Sequence, residues 1–408
     1  MLSVDEALQR VLSHAAAGQT IVVPLGEALG LVLAEDVASD VDSPPHDKAL
    51  VDGYAVCAAD LVEGRAELII LEEVTAGAVP GKRVTRGHAT RIMTGAPLPD
   101  GADSVVMIEQ TTIAPAGDPT PRVQIAAPRM NLGQNIMRRA ASMARGDLVL
   151  HSGSRLRAIE LGVLAEVGRV AARVIGRPSL AVLSTGNELV PAADVPQPGQ
   201  IRNSNGPLLL AAAHAAGAVA HDLGIATDDA DALRRAISRG LDDDVLLISG
   251  GVSAGVLDLV PGVLAELGVE QVFHKVDLKP GKPIWFGVRT DGNRRTLVFG
   301  LPGNPVSSLV CFELFVRPAI GKLAGRDDAG LRALDVPLSI PFSQRSDRPT
   351  YHPARLTDTA GKLAIEPLRW QGSGDLRTLV AANALAYFPP GARQFEPGET
   401  IRVLRLPE

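Results

Sequence analysis

Apolar and polar residues alternate with a helical rhythm in the opening stretch MLSVDEALQRVLSHAA. This predicts an amphipathic helix over residues 3–17, with Ser3 as its N-cap and Glu6 three positions on, in capping-box register. The rhythm then shortens. AELIILEEV, HATRIMTG, DSVVMIEQT and RVQIAA are brief apolar runs separated by glycine and proline, and they predict a compact β-rich domain over residues 47–138. The segment RLRAIELGVLAEVG restores the helical period and stops at Gly168. It is expected to fold back beside the first helix, so that residues 1–46 and 139–170 make one discontinuous helical and linker domain around the β insertion.

Between residues 171 and 323 strand and helix patterns take turns. SLAVLST, AVAHDLGI, DVLLISG and RRTLVFGLPG read as strands; PLLLAAAHAAG, DDADALRRAISRG, LDLVPGVLAELG and PVSSLVCFELFVRPAIGKL read as helices. Such alternation implies right-handed βαβ crossovers and a mainly parallel sheet, with ligands bound beyond the carboxyl ends of its strands. Residues 328–408 return to short strands. The expected fold class is therefore multidomain α/β plus β: a central three-layer α/β domain, a β-rich insertion and a C-terminal β-barrel-like domain.

Composition narrows the classes of function. With 40 basic and 46 acidic residues the net charge is -6, which gives no global attraction to nucleic acid or anionic membranes. Cys57 and Cys311 stand far apart in apolar runs and read as buried thiols of a reducing compartment. CxxC and HExxH are absent, so a structural zinc site is not expected. Neither a secretory signal nor a membrane-length apolar run is visible, and a cytoplasmic location is expected.

Candidate chemistry sits in loops that follow the predicted strands. In STGNEL, Ser184, Thr185 and the Gly186 amide suit an anion, and Glu188 offers a carboxylate; an ordinary strand-to-helix turn is the other reading. SGGVSAG contributes Ser249, Gly250, Gly251 and Ser253, with Asp258 just beyond, either facing the same crevice or starting a helix. It matches neither the dinucleotide fingerprint nor the Walker loop. KVDLKPGKP presents Lys275, Lys279 and Lys282 on a stiff turn, suited to phosphate or to solvent. LPGNPVSS brings Pro302, Gly303, Pro305 and Ser307 to the start of a helix. Jointly these loops should bind an anionic, phosphorylated ligand and one divalent cation. In the β insertion, VDGYAV carries Asp52, and TGAPLPDGAD carries Thr94, Asp100 and Asp103; both segments also fit plain turns.

Taken in order, VDGYAV, RIMTGAPLPDGAD, STGNEL, SGGVSAG with Asp258, KPGKP and LPGNPVSS resemble the molybdopterin molybdenumtransferase family, which includes gephyrin-type C-terminal domains. The resemblance covers essentially the whole chain. It implies a four-domain subunit that forms a homodimer through the discontinuous domain, and an enzyme that uses Mg²⁺, molybdate and adenylyl-molybdopterin to yield molybdenum cofactor and AMP. It implies catalytic roles for Asp52, Thr94, Glu188, Asp228 and Asp258, the last three as metal ligands, with Asp228 also readable as a helix cap. Asp52 and Thr94 would arrive from the partner subunit. Ser184, Thr185, Gly186, Ser249, Gly250, Gly251, Ser253, Lys275, Lys279, Pro302, Pro305 and Ser307 would bind substrate. Expected partners are a molybdopterin adenylyltransferase and recipient molybdoenzymes or their chaperones, with no nucleic acid and no membrane.

Three departures from the family pattern stand out. Arg138 and Arg139 lead into AASMARGD instead of Gly-Glu-Asp, Pro353 occupies the place of an arginine that Arg355 or Arg348 would have to replace, and LVPG follows Asp258 where a lysine is usual. Ser373 and Thr378 of GSGDLRTLVAANAL remain as hydroxyls near the oxyanion. Tungstate in place of molybdate, or a non-catalytic scaffold that binds the pterin nucleotide, are the alternative functions.

Overall fold

The computed structural model describes residues 1–114, 120–127, 129–252, 259–328 and 330–407. Its contacts divide the chain into one unit of Met1–Val23, Gly30–Ala34 and Arg173–Glu408, and another of Pro24–Leu29 and Glu35–Ala172.

Helix α1 (Val4–His14) begins as its sequence dictates. Ser3 Oγ accepts the Glu6 amide, and the Glu6 carboxylate accepts the Ser3 amide, which satisfies donors that the first turn would otherwise leave orphaned. Its apolar stripe, Val4, Ala7 and Val11, is buried in the same core as Phe312, Phe315 and Val316 of the α/β domain. The helix expected before Gly168 forms as well. That helix, α2 (Ala158–Glu166), belongs to the other unit and fully buries only Leu164. Periodicity reveals which face of α1 must be covered but not by what, and the strongly apolar 312–323 segment offers the larger surface.

The unit containing α2 is built on a six-stranded sheet. Its strands run in the order Ser104–Met107, Gly53–Val56, His88–Ile92, Arg65–Val74, Arg122–Ala126 and Thr111–Ile113. Tyr54, Val56, Leu68, Ala89, Val106 and Val123 cluster in one core of this unit, while Ala55, Ile92 and Val105 belong to a second. At Gly53 any Cβ would fall 1.8 Å from the Val106 carbonyl oxygen, so only glycine allows the strands to close next to Asp52.

In the other unit, β1 (Ser179–Thr185), α3 (Asn205–Ala216), β2 (Val219–Ala226), α4 (Ala230–Gly240), β3 (Val245–Ser249), α5 (Val260–Glu266), β4 (Val269–His274), β5 (Trp285–Asp291) and β6 (Arg294–Leu301) form the α/β domain. The sheet order is β2-β1-β3-β6-β5-β4. The first four strands are parallel, and β5 and β4 complete the sheet antiparallel. This antiparallel hairpin is an addition to the expected pattern, because the lysine turn it carries reads in sequence as a loop alone. The last helical stretch is likewise not one regular helix: α6 (Pro305–Cys311) and α7 (Arg317–Leu323) are separated by a π-helical segment, Phe312–Val316. Inside it the buried Glu313 carboxylate accepts from Arg317 Nε at 2.5 Å and Nη2 at 2.9 Å.

The chain ends in a five-stranded sheet of β7 (Ala333–Pro337), β8 (Thr350–Thr359), β9 (Lys362–Pro367), β10 (Ala384–Phe388) and β11 (Thr400–Arg405), in the order β7-β11-β10-β8-β9. Helix α8 (Leu376–Ala381) lies between β9 and β10 in sequence. Multidomain α/β architecture with added β domains is thus the observed fold class.

Candidate active site in the α/β domain

Strand register brings the chemistry-bearing loops together. Ser184 on β1 lies opposite Ser249 on β3, which lies opposite Leu301 on β6. The segments STGNEL, SGGV and LPGNPVSS therefore leave the sheet side by side at its carboxyl edge. Their approach is too close for side chains. A Cβ on Gly250 would stand 2.5 Å from the Thr185 carbonyl oxygen, and one on Gly251 would stand 2.8 Å from Thr185 Oγ1; both glycines have positive φ, at 94° and 62°.

Behind these loops lies a buried polar lattice. Ser184 Oγ donates to Asn203 Oδ1 at 3.1 Å, and the same oxygen accepts the Gly206 amide at 3.0 Å. Asn205 Nδ2 donates to Ser249 Oγ at 2.7 Å and to the Gly303 carbonyl at 2.8 Å. Ser308 Oγ donates to the Pro302 carbonyl, fixing the turn before α6, where Asn304 is the N-cap and Pro305 opens the helix. Ser184 and Ser249 thus serve the lattice as well as any ligand. Asn203 and Asn205 are absent from the residues that sequence patterns single out. Their only sequence signal is two asparagines bracketing a helix start, which fits a cap equally well.

The acids occupy the rim. Glu188 and Asp228 are both exposed, three residues beyond Thr185 and two beyond its parallel partner Ala226. The Glu188 carboxylate folds over Gly186, where a Cβ would meet it at 2.5 Å. Asp228 does not cap α4; Asp229 does, accepting the Ala232 amide at 2.9 Å, while the Asp228 amide donates to Asn187 Oδ1. Ser253 and Asp258 lie outside the described residues, and among the described residues no three His, Cys, Asp or Glu side chains are grouped as a metal site.

The lysine turn joins β4 to β5 and is clasped by the C-terminal sheet. The Lys279 amide donates to the Pro349 carbonyl at 2.9 Å, and the Tyr351 amide donates back to the Lys279 carbonyl at 2.8 Å. Arg348 Nη1 donates to the Leu278 carbonyl at 3.0 Å. Gly281, at φ 119°, has room for no Cβ, since Cys311 Sγ would lie 2.5 Å from it. Lys275 adopts φ 71°, a left-handed conformation that a long side chain seldom takes. Of the two arginines near Pro353, only Arg348 bonds this turn; Arg355 is exposed and faces the Ala381 carbonyl at 3.4 Å. The Ser373 carbonyl accepts the Val306 amide at 3.1 Å, bringing the GSGD loop to the start of α6. Thr378 Oγ1 is engaged with the Asp375 carboxylate at 2.6 Å, as part of the cap of α8.

In the other unit, Asp52 Oδ1 accepts both the Thr94 amide at 2.7 Å and the Thr94 hydroxyl at 2.8 Å. The backbone donor first, and then the hydroxyl, hold the Asp52 carboxyl below its ordinary pKa. Asp103 accepts the Ala58 amide at 2.7 Å and serves the fold of its loop. Arg138 pairs with Asp47 at 2.5 Å and Arg139 with Asp42 at 2.5 Å, so these two arginines draw their acidic partners from the irregular stretch between the Val37–Ala38 and Lys48–Ala49 strands, more than ninety residues earlier.

Comparison with known proteins agrees along the whole chain. Residues 2–168 match the family description "MoeA N-terminal region (domain I and II)", residues 181–322 "Probable molybdopterin binding domain", and residues 335–406 "MoeA C-terminal region (domain IV)". A molybdopterin molybdenumtransferase of Bacillus subtilis is 33% identical over 412 residues, covering 100% of this chain and 94% of the relative. One from Staphylococcus epidermidis is 32% identical over 408 residues, covering 99% and 95%. The crystal structure of a molybdopterin biosynthesis MoeA protein from Pyrococcus horikoshii superposes with a TM-score of 0.83 at 31% identity, covering 100% of both chains. With sequence, fold and loop order in agreement, the chain belongs to the molybdopterin molybdenumtransferase family.

Proposed function

We propose that the chain inserts molybdate into adenylyl-molybdopterin and releases AMP and molybdenum cofactor. The observation that carries this reading is the register-matched convergence of the STGNEL, SGG and LPGNP loops on one sheet edge, in a chain aligned end to end with molybdenumtransferases. In this reading the glycine loops let backbone amides approach the diphosphate, and Lys275 and Lys279 neutralise its charge and that of the incoming oxyanion. Cleavage breaks one phosphoanhydride P–O bond, with the replacement oxygen supplied by water or molybdate, and AMP leaves with the bridging oxygen or the new one. Asp52, oriented by Thr94, is a carboxylate already ionised for an electrostatic or positioning role, and Ser307 and Ser373 offer hydroxyls to the oxyanion.

Exposed carboxylates on neighbouring strand ends are an oxygen donor set suited to a hard cation, so Glu188 and Asp228, with Asp258, would hold Mg²⁺ together with substrate phosphates. Bound there, the ion supplies charge neutralisation for the leaving phosphate. No helix among the described residues is long and apolar enough to cross a membrane. We assign the chain to the cytoplasm, as a homodimer that receives its substrate from a molybdopterin adenylyltransferase and passes product to molybdoenzymes or their chaperones.

The test is AMP release from adenylyl-molybdopterin with Mg²⁺ and molybdate, tungstate or no oxyanion, read alongside activation of an apo-molybdoenzyme. Molybdate-dependent release with active product supports the assignment. Tight binding without oxyanion-dependent cleavage would replace it with the scaffold reading, and tungstate-selective release would change the metal.

A further inference from the structure

Asn205 is the first residue of α3, and the residue is 7% exposed. Both protons of its Nδ2 are spent, one on Ser249 Oγ and one on the Gly303 carbonyl. A carbonyl oxygen only accepts, so the carboxamide cannot be turned the other way round without setting two acceptors against each other. Its Oδ1 is therefore fixed in direction, and among the described residues it has no hydrogen-bond partner. Thr185 Oγ1, in a residue 2% exposed, is the second orphan of the same loops. Both residues belong to the packing around Gly250, Thr185 directly and Asn205 through its bond to Gly303. A Cβ on Gly250 would lie 3.1 Å from Thr185 Oγ1, while Gly303, which Asn205 holds, lies within 3.9 Å of the Gly250 Cα when given a Cβ of its own.

Buried acceptors without partners are rare, because each forfeits the water it gave up. Elsewhere this lattice satisfies itself: Asn203 Oδ1, only two residues away, takes two donors. We propose that Asn205 is a specificity-determining residue whose Oδ1 accepts an N–H from the heterocyclic ring of the pterin, with Thr185 Oγ1 as a second polar contact to the same ring. Its Nδ2 holds the SGG and LPGNP loops at the spacing that places this acceptor. The inference rests on the proposed substrate and adds which half of it this corner reads: the pterin rather than the nucleotide. A site that spends a buried acceptor on an N–H discriminates strongly against ligands that lack it.

The experiment measures anaerobic binding of two probes, molybdopterin and AMP, to the full chain and to Asn205→Ala and Ser249→Ala. Asn205→Ala removes the acceptor and the clasp, whereas Ser249→Ala loosens the clasp and leaves Oδ1 in place. The expected result is a fall of about 10- to 100-fold in molybdopterin affinity for Asn205→Ala, at least about fivefold greater than the fall in AMP affinity that loss of the clasp brings with it. Ser249→Ala should shift the two probes together. Thermal midpoints identify unfolded variants, and for an unfolded Asn205→Ala the same comparison is made with Asn205→Ser. Equal losses for both probes in the Asn205 variant, a loss confined to AMP, or no loss at all would overturn the inference. Wild-type protein that ignores molybdopterin would instead overturn the proposed function, and this inference with it.

Discussion

Asp52 lies exposed on its loop with both bonds to its Oδ1 donated by one neighbour, Thr94, whereas Ser184, Asn203, Asn205 and Ser249 are almost wholly buried and bind one another. The first arrangement orients a single charge at little structural cost, since water still solvates the rest of the carboxylate. The second fixes three loops at once, and any gap in it leaves a buried polar atom without a partner. Function and stability should therefore separate in one unit and travel together in the other.

The largest expected break is Gly250→Ala. Its new Cβ would meet the Thr185 carbonyl at 2.5 Å from a backbone at φ 94°, so AMP release should fall on the order of 100-fold or more, equivalent to about 2.7 kcal/mol. Steady-state release compared with wild type checks this, and near-normal turnover would mean the loops do not carry the chemistry. Next comes the paired test of Asn203→Ala and Asp52→Asn by urea unfolding and turnover. Asn203→Ala orphans the Ser184 hydroxyl and the Gly206 amide and should cost about 1–3 kcal/mol of stability. Asp52→Asn should leave the urea midpoint close to that of the wild type while turnover drops about 10- to 100-fold. Similar stability losses in both would erase the contrast.

A pH profile sharpens it further. The bonds from Thr94 lower the folded-state pKa of Asp52, so the interaction is complete above the unfolded carboxylate value and is lost as pH falls through the depressed one. Thr94→Val keeps the backbone donor and removes the hydroxyl. The acid limb of the Asp52-dependent rate should move to higher pH, with less than about a fivefold loss at neutral pH. An unmoved limb would detach Asp52 from the rate. The smallest effect separates adjacent acids: Asp229→Ala should cost about 1 kcal/mol as a lost cap with turnover retained, and Asp228→Ala the reverse.

Much of this was legible before any coordinates. The capping box of α1, the alternation that sets the parallel core, and the loops after β1, β3 and β6 follow from local pattern. Partners that lie far apart in sequence were not. Nothing local distinguishes Asp229 from Asp228 as the cap, since either side chain could reach an open amide of the same helix. Asn205 looks like any polar residue at a helix start until the Gly303 carbonyl, nearly a hundred residues later, decides which way its amide faces. The β4–β5 hairpin was hidden because its proline- and glycine-rich turn dominates the short strands around it.

The burial of α1 has a consequence for the ribosome-bound chain. Val4, Ala7 and Val11 wait for Phe312, Phe315 and Val316, which are translated roughly 300 residues later, or about 15–60 s at ordinary elongation rates. Through that interval the helix has only its own cap and its charged flank to keep it from other nascent segments, or a chaperone to shield its apolar stripe. The segment thus depends for its cover on partners made about 300 residues after it.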